Sequence, residues 1–580
     1  MKFLLVAINA KYIHSNPAVH SLYAYAGEDL QKHIEIAEYT INNYTQDILA
    51  DIYKRKPGII GFSCYIWNFG MITQLLPDLK KVLPDTDIWL GGPEVSFCTQ
   101  EFFEEYPMVK GIMAGEGEET FRELLTCYIT QNNHLESVAG LILPTGSTGL
   151  RELLSMDEIP FLYENMEGFQ NKIVYYESAR GCPFRCSYCL SSVDKTVRLR
   201  NMDTVKRELQ FFLDHSLPQV KFIDRTFNCN HGHAMEIWRY IKEHDNGVTN
   251  FHFEIAADIM TEEEIELLAE MRPGLVQLEI GVQSTNEKTL REINRFVNTD
   301  HIKRVVAKLC RRENIHIHLD LIAGLPHENY ESFKKSFDEV YLMKPEQLQL
   351  GFLKVLKGSP MEEKAKEYGI LYSAKPPYEV LATNWLSYEE ILSLKQVEEM
   401  VEIYYNSNQF RQTLKALESC FDTPYELFHA LADCYVQKGY FTQTPARAYR
   451  YRILLDFACD VDGTHEELYR ELLTYDFYLR ENAKSRPEFA RNLDVYYQDI
   501  WSFYQWEEEN GVYLSEYQGY HARQTMKMTH MEVFRYPVWE EEPEKMYVKT
   551  KNMYYVLFDY KKKNALTGDG MTTVFEEKFW

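Results

Sequence analysis

The sequence predicts an α/β protein: an N-terminal doubly wound, Rossmann-like domain, then a partial (β/α)6 barrel, then a C-terminal α+β domain. Short apolar runs separated by helical patterns recur up to about residue 360, a rhythm that indicates βαβ units and parallel sheets. One loop-like segment interrupts this rhythm. We therefore predict domains at 1–140, 171–360 and 361–580, joined by a linker at 141–170.

The composition is that of an ordinary globular protein. At 580 residues, with 45% hydrophobic and 26% charged residues, the chain can bury several cores. No window approaches the roughly 20 apolar residues that span a bilayer, and the opening run "KFLLVAIN" has the length of a strand. The formal charge of −25 counts against broad nucleic-acid binding. The 11 cysteines are too sparse for a disulfide scaffold and suit a reduced compartment, so we expect a cytoplasmic protein.

The first part alternates the strands and helices of a doubly wound sheet. The predicted strands are "KFLLVAIN" (2–9), "HIEIAEYT" (33–40), "PGIIGFSCYI" (57–66), "DIWLGGPE" (87–94) and one that starts with "VKGIM" (109–113). Ligands bind such sheets beyond the carboxyl ends of the strands. The Gly-rich turns "GGPEVS" (91–96) and "GEGEE" (115–119) lie at those ends, and neither has the G-x-G-x-x-G pattern of a dinucleotide site.

A second series of strands follows the linker. The predicted strands are "KIVYYESA" (172–179), "QVKFID" (219–224), "NFHFEIAAD" (250–258), "LVQLEIGVQS" (275–284), "IHIHLDLIAG" (315–324) and "QLQLGFL" (347–353). Six β/α units are fewer than the eight of a full TIM barrel, so they predict a partial barrel. The region after residue 360 combines helical spacing with later strands and shows no catalytic signature.

Three cysteines lie close together directly after the first predicted barrel strand. Cys182, Cys186 and Cys189 form a C-x3-C-x2-C loop, placed where barrel enzymes carry their chemistry. Three thiolates around a 4Fe–4S cluster leave one iron open to a small molecule. A structural zinc site would need a fourth ligand nearby, and the next candidates, His215 and Cys229, lie far along the chain.

The run "ARGCPFRCSYC" resembles the signature of the radical S-adenosylmethionine (SAM) superfamily, with Tyr188 at its aromatic position. The resemblance implies that SAM chelates the open iron of a 4Fe–4S cluster. It also implies that an electron from the cluster cleaves SAM to a 5′-deoxyadenosyl radical.

Other barrel segments are similar to family segments that contact SAM. "FIDRTFNCN" (222–230) implies that Asp224 and Asn228 help to hold the SAM amino group, and "LEIGVQS" (278–284) implies that Glu279 and Gln283 approach the ribose and substrate. "LDLIAGLPHE" (319–328) implies that Gly324 packs beside the adenine. The alternative for each polar residue is a buried group that its neighbours satisfy.

The N-terminal domain resembles the cobalamin-binding domain of one large branch of this superfamily. The resemblance implies contacts to cobalamin from loop residues at the strand ends: Ser15, Asn16, Ser63, Gly91, Gly92, Pro93, Glu94, Gly115, Glu116 and Gly117. Glycines suit a flat macrocycle because the backbone must approach closely. The D-x-H-x-x-G motif that supplies a cobalt ligand is absent, and His14, His20 and His33 lie in other contexts. We therefore expect cobalt without a protein imidazole.

The methylthiotransferases are a competing family, with three further cluster cysteines in the N-terminal domain. Cys64, Cys98 and Cys127 invite that comparison, but nothing in their spacing indicates that their thiols converge. Cys229 lies just past the second barrel strand. Packing explains it more simply than radical chemistry does.

The predicted function is methylation of an unactivated carbon by a cobalamin-dependent radical SAM enzyme. The rivals are another radical outcome, such as oxidation, rearrangement or methylthiolation, and a non-catalytic metal-binding scaffold. We expect an electron donor such as flavodoxin or ferredoxin. A small-molecule, peptide or lipid-like substrate fits the acidic chain better than RNA. The sequence identifies neither the substrate nor any catalytic residue beyond the cofactor sites.

Overall fold

Strand β1 is an interior strand of the first domain's sheet in this computed structural model, which describes residues 2–131, 134–192 and 195–580. Its residues are buried on both faces, as expected of a parallel strand covered by helices on each side. The strands are β1 (Phe3–Asn9), β2 (Ile34–Thr40), β3 (Ile59–Ser63), β4 (Asp87–Gly91), β5 (Val109–Met113), β6 (Leu141–Leu143) and β7 (Gly146–Ser147). The helices are α1 (Pro17–Ala26), α2 (Glu28–Gln31), α3 (Thr45–Arg55), α4 (Phe69–Val82), α5 (Glu101–Glu105) and α6 (Glu118–Thr130).

The sheet order is β2-β1-β3-β4-β5-β6-β7, and the first five of these strands are parallel. The chain reverses direction across the sheet between β1 and β3, so a crevice opens at their carboxyl ends. Strands β6 and β7 pair antiparallel and extend the sheet beyond residue 140. The predicted boundary at 140 is therefore too early. Strands of two or three residues show too little hydrophobic periodicity to be predicted from sequence. Leu141 and Leu143 of β6 are nevertheless buried in the core.

All six predicted barrel strands form one parallel sheet, in the order β15-β14-β13-β12-β11-β8. They are β8 (Val174–Tyr176), β11 (Gln219–Phe222), β12 (Asn250–Ile255), β13 (Val276–Gln283), β14 (His316–Ala323) and β15 (Gln347–Phe352); the short strands β9 (Ala179–Arg180) and β10 (Arg198–Leu199) pair beside them. The helices of this domain are α7 (Met202–Asp214), α8 (His231–Glu243), α9 (Glu262–Ala269), α10 (Glu287–Glu292), α11 (Thr299–Cys310) and α12 (Tyr330–Tyr341).

Strand β13 shows how the barrel separates its two faces. Buried and half-buried residues alternate along its eight positions. Val276 and Leu278 pack into the core, while Glu279 and Gln283 lie on the other face, as a two-residue period requires. The predicted partial (β/α)6 barrel is confirmed.

The C-terminal part is mainly helical and ends in an antiparallel sheet, which confirms the α+β prediction. Its helices are α13 (Pro360–Lys364), α14 (Tyr388–Met400), α15 (Arg411–Glu418), α16 (Pro424–Lys438), α17 (Tyr440–Gln443), α18 (Arg447–Val461), α19 (Glu466–Arg480), α20 (Tyr497–Asn510), α21 (Ala522–Met528) and α22 (Pro543–Met546). Its strands are β16 (Leu371–Tyr372), β17 (Val380–Ala382), β18 (His530–Phe534), β19 (Tyr554–Lys563) and β20 (Gly570–Phe575). One apolar cluster runs continuously from the barrel into this region. Among the described residues, no helix combines the length and apolarity needed to cross a membrane.

Candidate active site at the interface of the first two domains

The cysteine loop is closed at its base by strands β9 and β10. Ala179 pairs with Leu199, and Arg180 pairs with Arg198. Gly181 then has a φ of +93°, and a Cβ atom there would lie 1.7 Å from the Thr196 carbonyl oxygen. Only glycine fits this position, because both the backbone angle and the space exclude a side chain.

All three cysteines of this loop line one cavity of about 210 Å³ at the carboxyl end of the barrel strands. Cys182 and Cys186 are buried and Cys189 is half-buried. The Cys182 sulfur lies 3.6 Å from the Thr226 hydroxyl oxygen, and burial raises the pKa of the Cys182 thiol. Burial thus favours the protonated thiol. A bound metal would favour the thiolate instead, because the thiolate is the form that coordinates metal.

Arg295 brings a positive charge to this cavity. Its Nη1 lies 3.7 Å from the Cys186 sulfur and its Nη2 donates to the Gly281 carbonyl oxygen. Tyr188 also lines the cavity, and its burial raises its pKa. Sequence reasoning missed Arg295, which follows α10 in a stretch without a motif.

Glu279 and Gln283 both line the cysteine cavity. Glu279 Oε2 accepts hydrogen bonds from Lys221 Nζ at 3.1 Å and His252 Nε2 at 3.0 Å. Burial alone would raise the pKa of Glu279, but the His252 hydrogen bond and the Lys221 charge lower it to about 2. Gln283 has a φ of +69°, and its Oε1 is buried without a hydrogen-bond partner among the described residues. That orphaned acceptor fits a ligand that donates a hydrogen bond.

Asp224, Asn228 and Gly324 are not among the residues that line the cavity, and their contacts to SAM stay a prediction. The Asn228 amide is fully buried and bonds the Ala256 backbone N–H and carbonyl, each at 2.9 Å. Asp224 accepts from the Ser178 backbone N–H at 2.8 Å and from the Ser178 hydroxyl, and its burial raises its pKa to about 7. These two residues hold the strand ends in place.

Gly324 makes room for a strand of the C-terminal part. Its φ is +91°, and a Cβ there would lie 2.8 Å from Val380 Cγ1. The glycine therefore admits β17, whose Val380 N–H donates to the Leu353 carbonyl at 2.9 Å.

A larger cavity of about 510 Å³ lies between the first domain and the barrel. Seven of the ten predicted cobalamin contacts line it: Ser63, Gly91, Gly92, Pro93, Gly115, Glu116 and Gly117. Gly92 has a φ of +108°, and a Cβ there would lie 2.5 Å from the Cys64 carbonyl oxygen. At this turn the cavity wall is therefore formed by backbone without a side chain, which lets a flat ligand approach closely.

The other three predicted contacts are buried but lie outside this lining. Ser15 Oγ donates to the Ile173 carbonyl at 3.2 Å, and Asn16 caps α1 by accepting from the Val19 N–H at 3.2 Å. The Glu94 carboxylate accepts from the Tyr378 hydroxyl at 2.5 Å and pairs with Lys357 Nζ at 3.3 Å. These polar groups support the cavity and tie it to neighbouring segments.

The barrel and linker supply the opposite wall, which includes Phe161, Tyr163 and Tyr175. The Tyr175 hydroxyl lies 2.6 Å from His14 Nδ1. The His14 imidazole is therefore hydrogen-bonded to a tyrosine. No histidine is among the described residues that line this cavity.

Arg225 lines both cavities. It follows β11 by three positions and is exposed, so its guanidinium borders the space between the first domain and the cysteine loop. Among the residues that the structure describes, it alone belongs to both linings, so the two cavities adjoin at this side chain. The sequence carries no signal for this role of Arg225.

A charge network fastens the two walls of the larger cavity. Arg180 pairs with Glu118 at 2.6 Å and with Glu177 at 2.8 Å, and it lies 3.6 Å from Glu116. Arg198 also pairs with Glu116. Glu116 and Glu118 belong to the first domain and the arginines to the cysteine loop, so the network fixes the loop against the sheet.

The first-domain cysteines do not form a second cluster site. Cys64 and Cys98 pack with the apolar cluster on one face of the sheet, whereas Cys127 packs with the cluster on the other face. The sheet separates their thiols, which excludes a site shared by all three.

The fold and the cavities together are those of a cofactor-binding enzyme. A doubly wound parallel sheet covers the open end of a partial barrel, and the first loop of the barrel carries three cysteines that line one cavity. Family models match three successive parts of the chain. They are the B12 binding domain at residues 4–125, the radical SAM superfamily at 176–340 and a protein of unknown function, DUF4080, at 366–558. The chain thus combines a segment that matches the B12 binding domain with a segment that matches the radical SAM superfamily.

Curated relatives share this arrangement at low identity. The cobalamin-dependent radical SAM methyltransferase TokK of Streptomyces tokunonensis is 26% identical over 355 residues, which are 56% of this chain and 51% of TokK. The 2-(S-pantetheinyl)-carbapenam-3-carboxylate methyltransferase of Streptantibioticus cattleyicolor is 24% identical over 473 residues, 73% of this chain and 66% of the relative. The chain thus spans between half and two thirds of these relatives.

A solved structure shares the fold. The cobalamin-dependent S-adenosylmethionine radical enzyme OxsB, with aqua-cobalamin and S-adenosylmethionine bound, aligns with a TM-score of 0.56 at 14% identity. The alignment covers 82% of this chain and 83% of OxsB. The likeness therefore extends from the first domain into the C-terminal part.

Proposed function

We propose that this protein is a cobalamin-dependent radical SAM methyltransferase that methylates an unactivated carbon. One observation carries the proposal: the cavity lined by Cys182, Cys186 and Cys189 and the cavity lined by the first-domain glycine turns share Arg225. Two cofactors held in these spaces would face one another across a common boundary. The named methyltransferase relatives support the same conclusion.

The residues of each cavity fit the group that it would hold. Three soft thiolates suit an iron–sulfur cluster with one open iron. Gln283 Oε1, buried and without a described partner, would accept a hydrogen bond from SAM. The Gly92 and Gly115 turns leave room for the corrin edge, with Tyr65 and Tyr175 as further lining residues.

When bound, these cofactors supply the radical and the methyl group, while the protein binds, orients and shields them. Arg295 holds its guanidinium against Cys186 and so balances negative charge at the cysteine loop. Glu279 stays ionised at neutral pH because its pKa lies near 2, so it acts as a hydrogen-bond acceptor and not as an acid. The half-buried ion pairs of Arg180 hold the first domain against the cysteine loop.

An isotope experiment tests the proposal. Anaerobically reconstituted protein is supplied with reductant, cobalamin and SAM labelled in its methyl group, and a mixture of candidate substrates. Methylation moves the label into product and also releases 5′-deoxyadenosine. If SAM is cleaved but no label enters a product, the enzyme carries out a radical reaction other than methylation. If the protein binds zinc and does not cleave SAM, it is a metal-binding scaffold.

The physiological reaction also needs an electron source and a substrate. A flavodoxin or ferredoxin of the cytoplasm is the expected donor. The acidic chain favours a small molecule, peptide or lipid-like substrate over RNA.

A further inference from the structure

A second group of ligand-type side chains lies at the floor of the barrel lumen. Glu279 on β13 pairs in register with His318 on β14, and Asp320 follows two residues later on the same face. One ligand atom from each of these three residues lies within 4.8 Å of the others. None of the three belongs to the cysteine loop.

Each of these residues has one ligand atom that makes no hydrogen bond of acceptable geometry among the described residues. His318 Nε2 and Asp320 Oδ1 are buried and form an ion pair with each other at 3.1 Å, but neither makes such a hydrogen bond. The exposed fraction of His318 is only 6%. Both hydrogen bonds of Glu279 go to Oε2, which leaves Oε1 available. Buried polar atoms of this kind cost free energy until a partner engages them.

The separation of these atoms fits a shared ion. Neighbouring ligand atoms of an octahedral ion with bonds of about 2.1 Å lie about 3 Å apart, which matches the 3.1 Å between His318 Nε2 and Asp320 Oδ1. His252 donates to the same Glu279 carboxylate. A hydrogen bond from a neighbour commonly orients a metal-binding carboxylate in this way.

The cavity has more carboxylates than cationic side chains. Four carboxylates line it, those of Glu254, Asp258, Glu279 and Asp320, and the guanidinium groups of Arg225 and Arg295 line it as well. Lys221 lies 3.1 Å from Glu279 and 3.9 Å from Glu254 and is the cation paired with this group. With neutral histidines, the four carboxylates, the two arginines and Lys221 together carry a formal charge of −1, so the cavity attracts a cation.

We propose that Glu279, His318 and Asp320 bind a divalent first-row transition metal ion. One imidazole nitrogen and two carboxylate oxygens suit Mn²⁺, Fe²⁺ or Zn²⁺. Glu279 and Asp320 line the same cavity as the three cysteines. Coordination positions that the protein leaves open would therefore face that cavity, where water or an oxygen atom of a ligand can take them. The inference does not depend on the proposed methyl transfer.

Equilibrium dialysis of the full-length, cluster-reconstituted protein against Mn²⁺ tests the site, with bound manganese measured by elemental analysis. Mn²⁺ prefers oxygen and nitrogen ligands to thiolates, so the cysteine loop competes little. We expect one saturable Mn²⁺ per chain. H318A and D320N should each weaken binding by about 10-fold or more, since even outer-shell changes cost that much at metal sites.

Two matched variants serve as controls. H316A removes the histidine two positions earlier on the same face, and D258N removes a carboxylate from the same cavity; both should retain Mn²⁺. Thermal unfolding midpoints establish that each variant is folded, and D320N preserves side-chain shape. The site is refuted if wild-type protein binds no saturable Mn²⁺, if H318A and D320N bind it normally, or if C186A abolishes binding.

Discussion

The Arg295 guanidinium lies 3.7 Å from the Cys186 sulfur and also donates to the Gly281 carbonyl oxygen at the end of β13. The residue thus joins the cysteine loop to the strand that carries Glu279 and Gln283. Positive charge and N–H groups beside a cluster sulfur stabilise the more negative, reduced cluster.

We therefore expect R295M to lower the reduction potential of the reconstituted cluster while the iron content stays unchanged. Redox titration followed by electron paramagnetic resonance measures the potential, and iron analysis measures occupancy. R295K keeps the charge and should give an intermediate potential. An R295M potential equal to that of wild type would mean that the contact has no electrostatic role.

The second prediction concerns Gly181, which precedes the first cluster cysteine. G181A would force a Cβ to within 1.7 Å of the Thr196 carbonyl oxygen, so the loop cannot close and the cluster should be lost. Iron content after anaerobic reconstitution is the measurement. Gly149 has a φ of +94° but open space around it, so G149A carries only the backbone strain of about 1–3 kcal/mol and should retain full iron. Equal iron loss in both variants would contradict the steric explanation.

Much of this fold follows from hydrophobic periodicity. The six barrel strands and five parallel strands of the first sheet were predicted because each is a short apolar or alternating run between helical patterns. Strands β6 and β7 were missed because two- and three-residue strands carry almost no periodic signal. Their place in the sheet depends on packing against β5.

The site was only partly predictable, since a motif marks a segment and not the direction of each side chain. Asn228 lies in a segment that resembles a SAM-binding one, yet its amide is used by the Ala256 backbone. Arg225, three positions earlier, borders both cavities without any motif of its own. Glu94 is a predicted cobalamin contact because of its neighbouring glycines. In the structure its carboxylate accepts a hydrogen bond from Tyr378, almost 300 residues away in sequence.

The third prediction separates cluster ligands from the neighbouring cysteine. C182A, C186A and C189A should each lose most of the reconstituted iron and all reductive SAM cleavage, because each removes a ligand. C229A should retain both. Cys229 is half-buried, its burial raises its pKa to about 11, and it is absent from the cavity lining. A C229A protein with full iron but no SAM cleavage would instead assign Cys229 a chemical role.

The last prediction concerns Glu38, which joins the first domain to the barrel. Its Oε2 lies 2.8 Å from Lys172 Nζ, just before β8, and its Oε1 accepts from Asn9 at 3.0 Å and from the Asn16 N–H at 3.1 Å. Burial would raise the pKa of Glu38, but the nearby His20, whose Nε2 is 3.6 Å from Oε2, and the hydrogen bond from Lys172 outweigh it and lower the pKa to about 2. The folded protein therefore holds this carboxylate ionised where the unfolded chain, with a pKa near 4.5, begins to protonate.

The resulting stabilisation is complete above about pH 4.5 and is lost as the pH falls towards 2. We expect E38Q to lower the free energy of unfolding by about 1–2 kcal/mol at neutral pH, and the difference from wild type to shrink below pH 4.5. Thermal midpoints measured across this range test both statements. K172M should reproduce most of the loss, and the E38Q/K172M double variant should lose less than the two single losses combined, because the pair shares one interaction. A penalty for E38Q that persists undiminished at pH 3 would show that the lost contact is not the ionised pair.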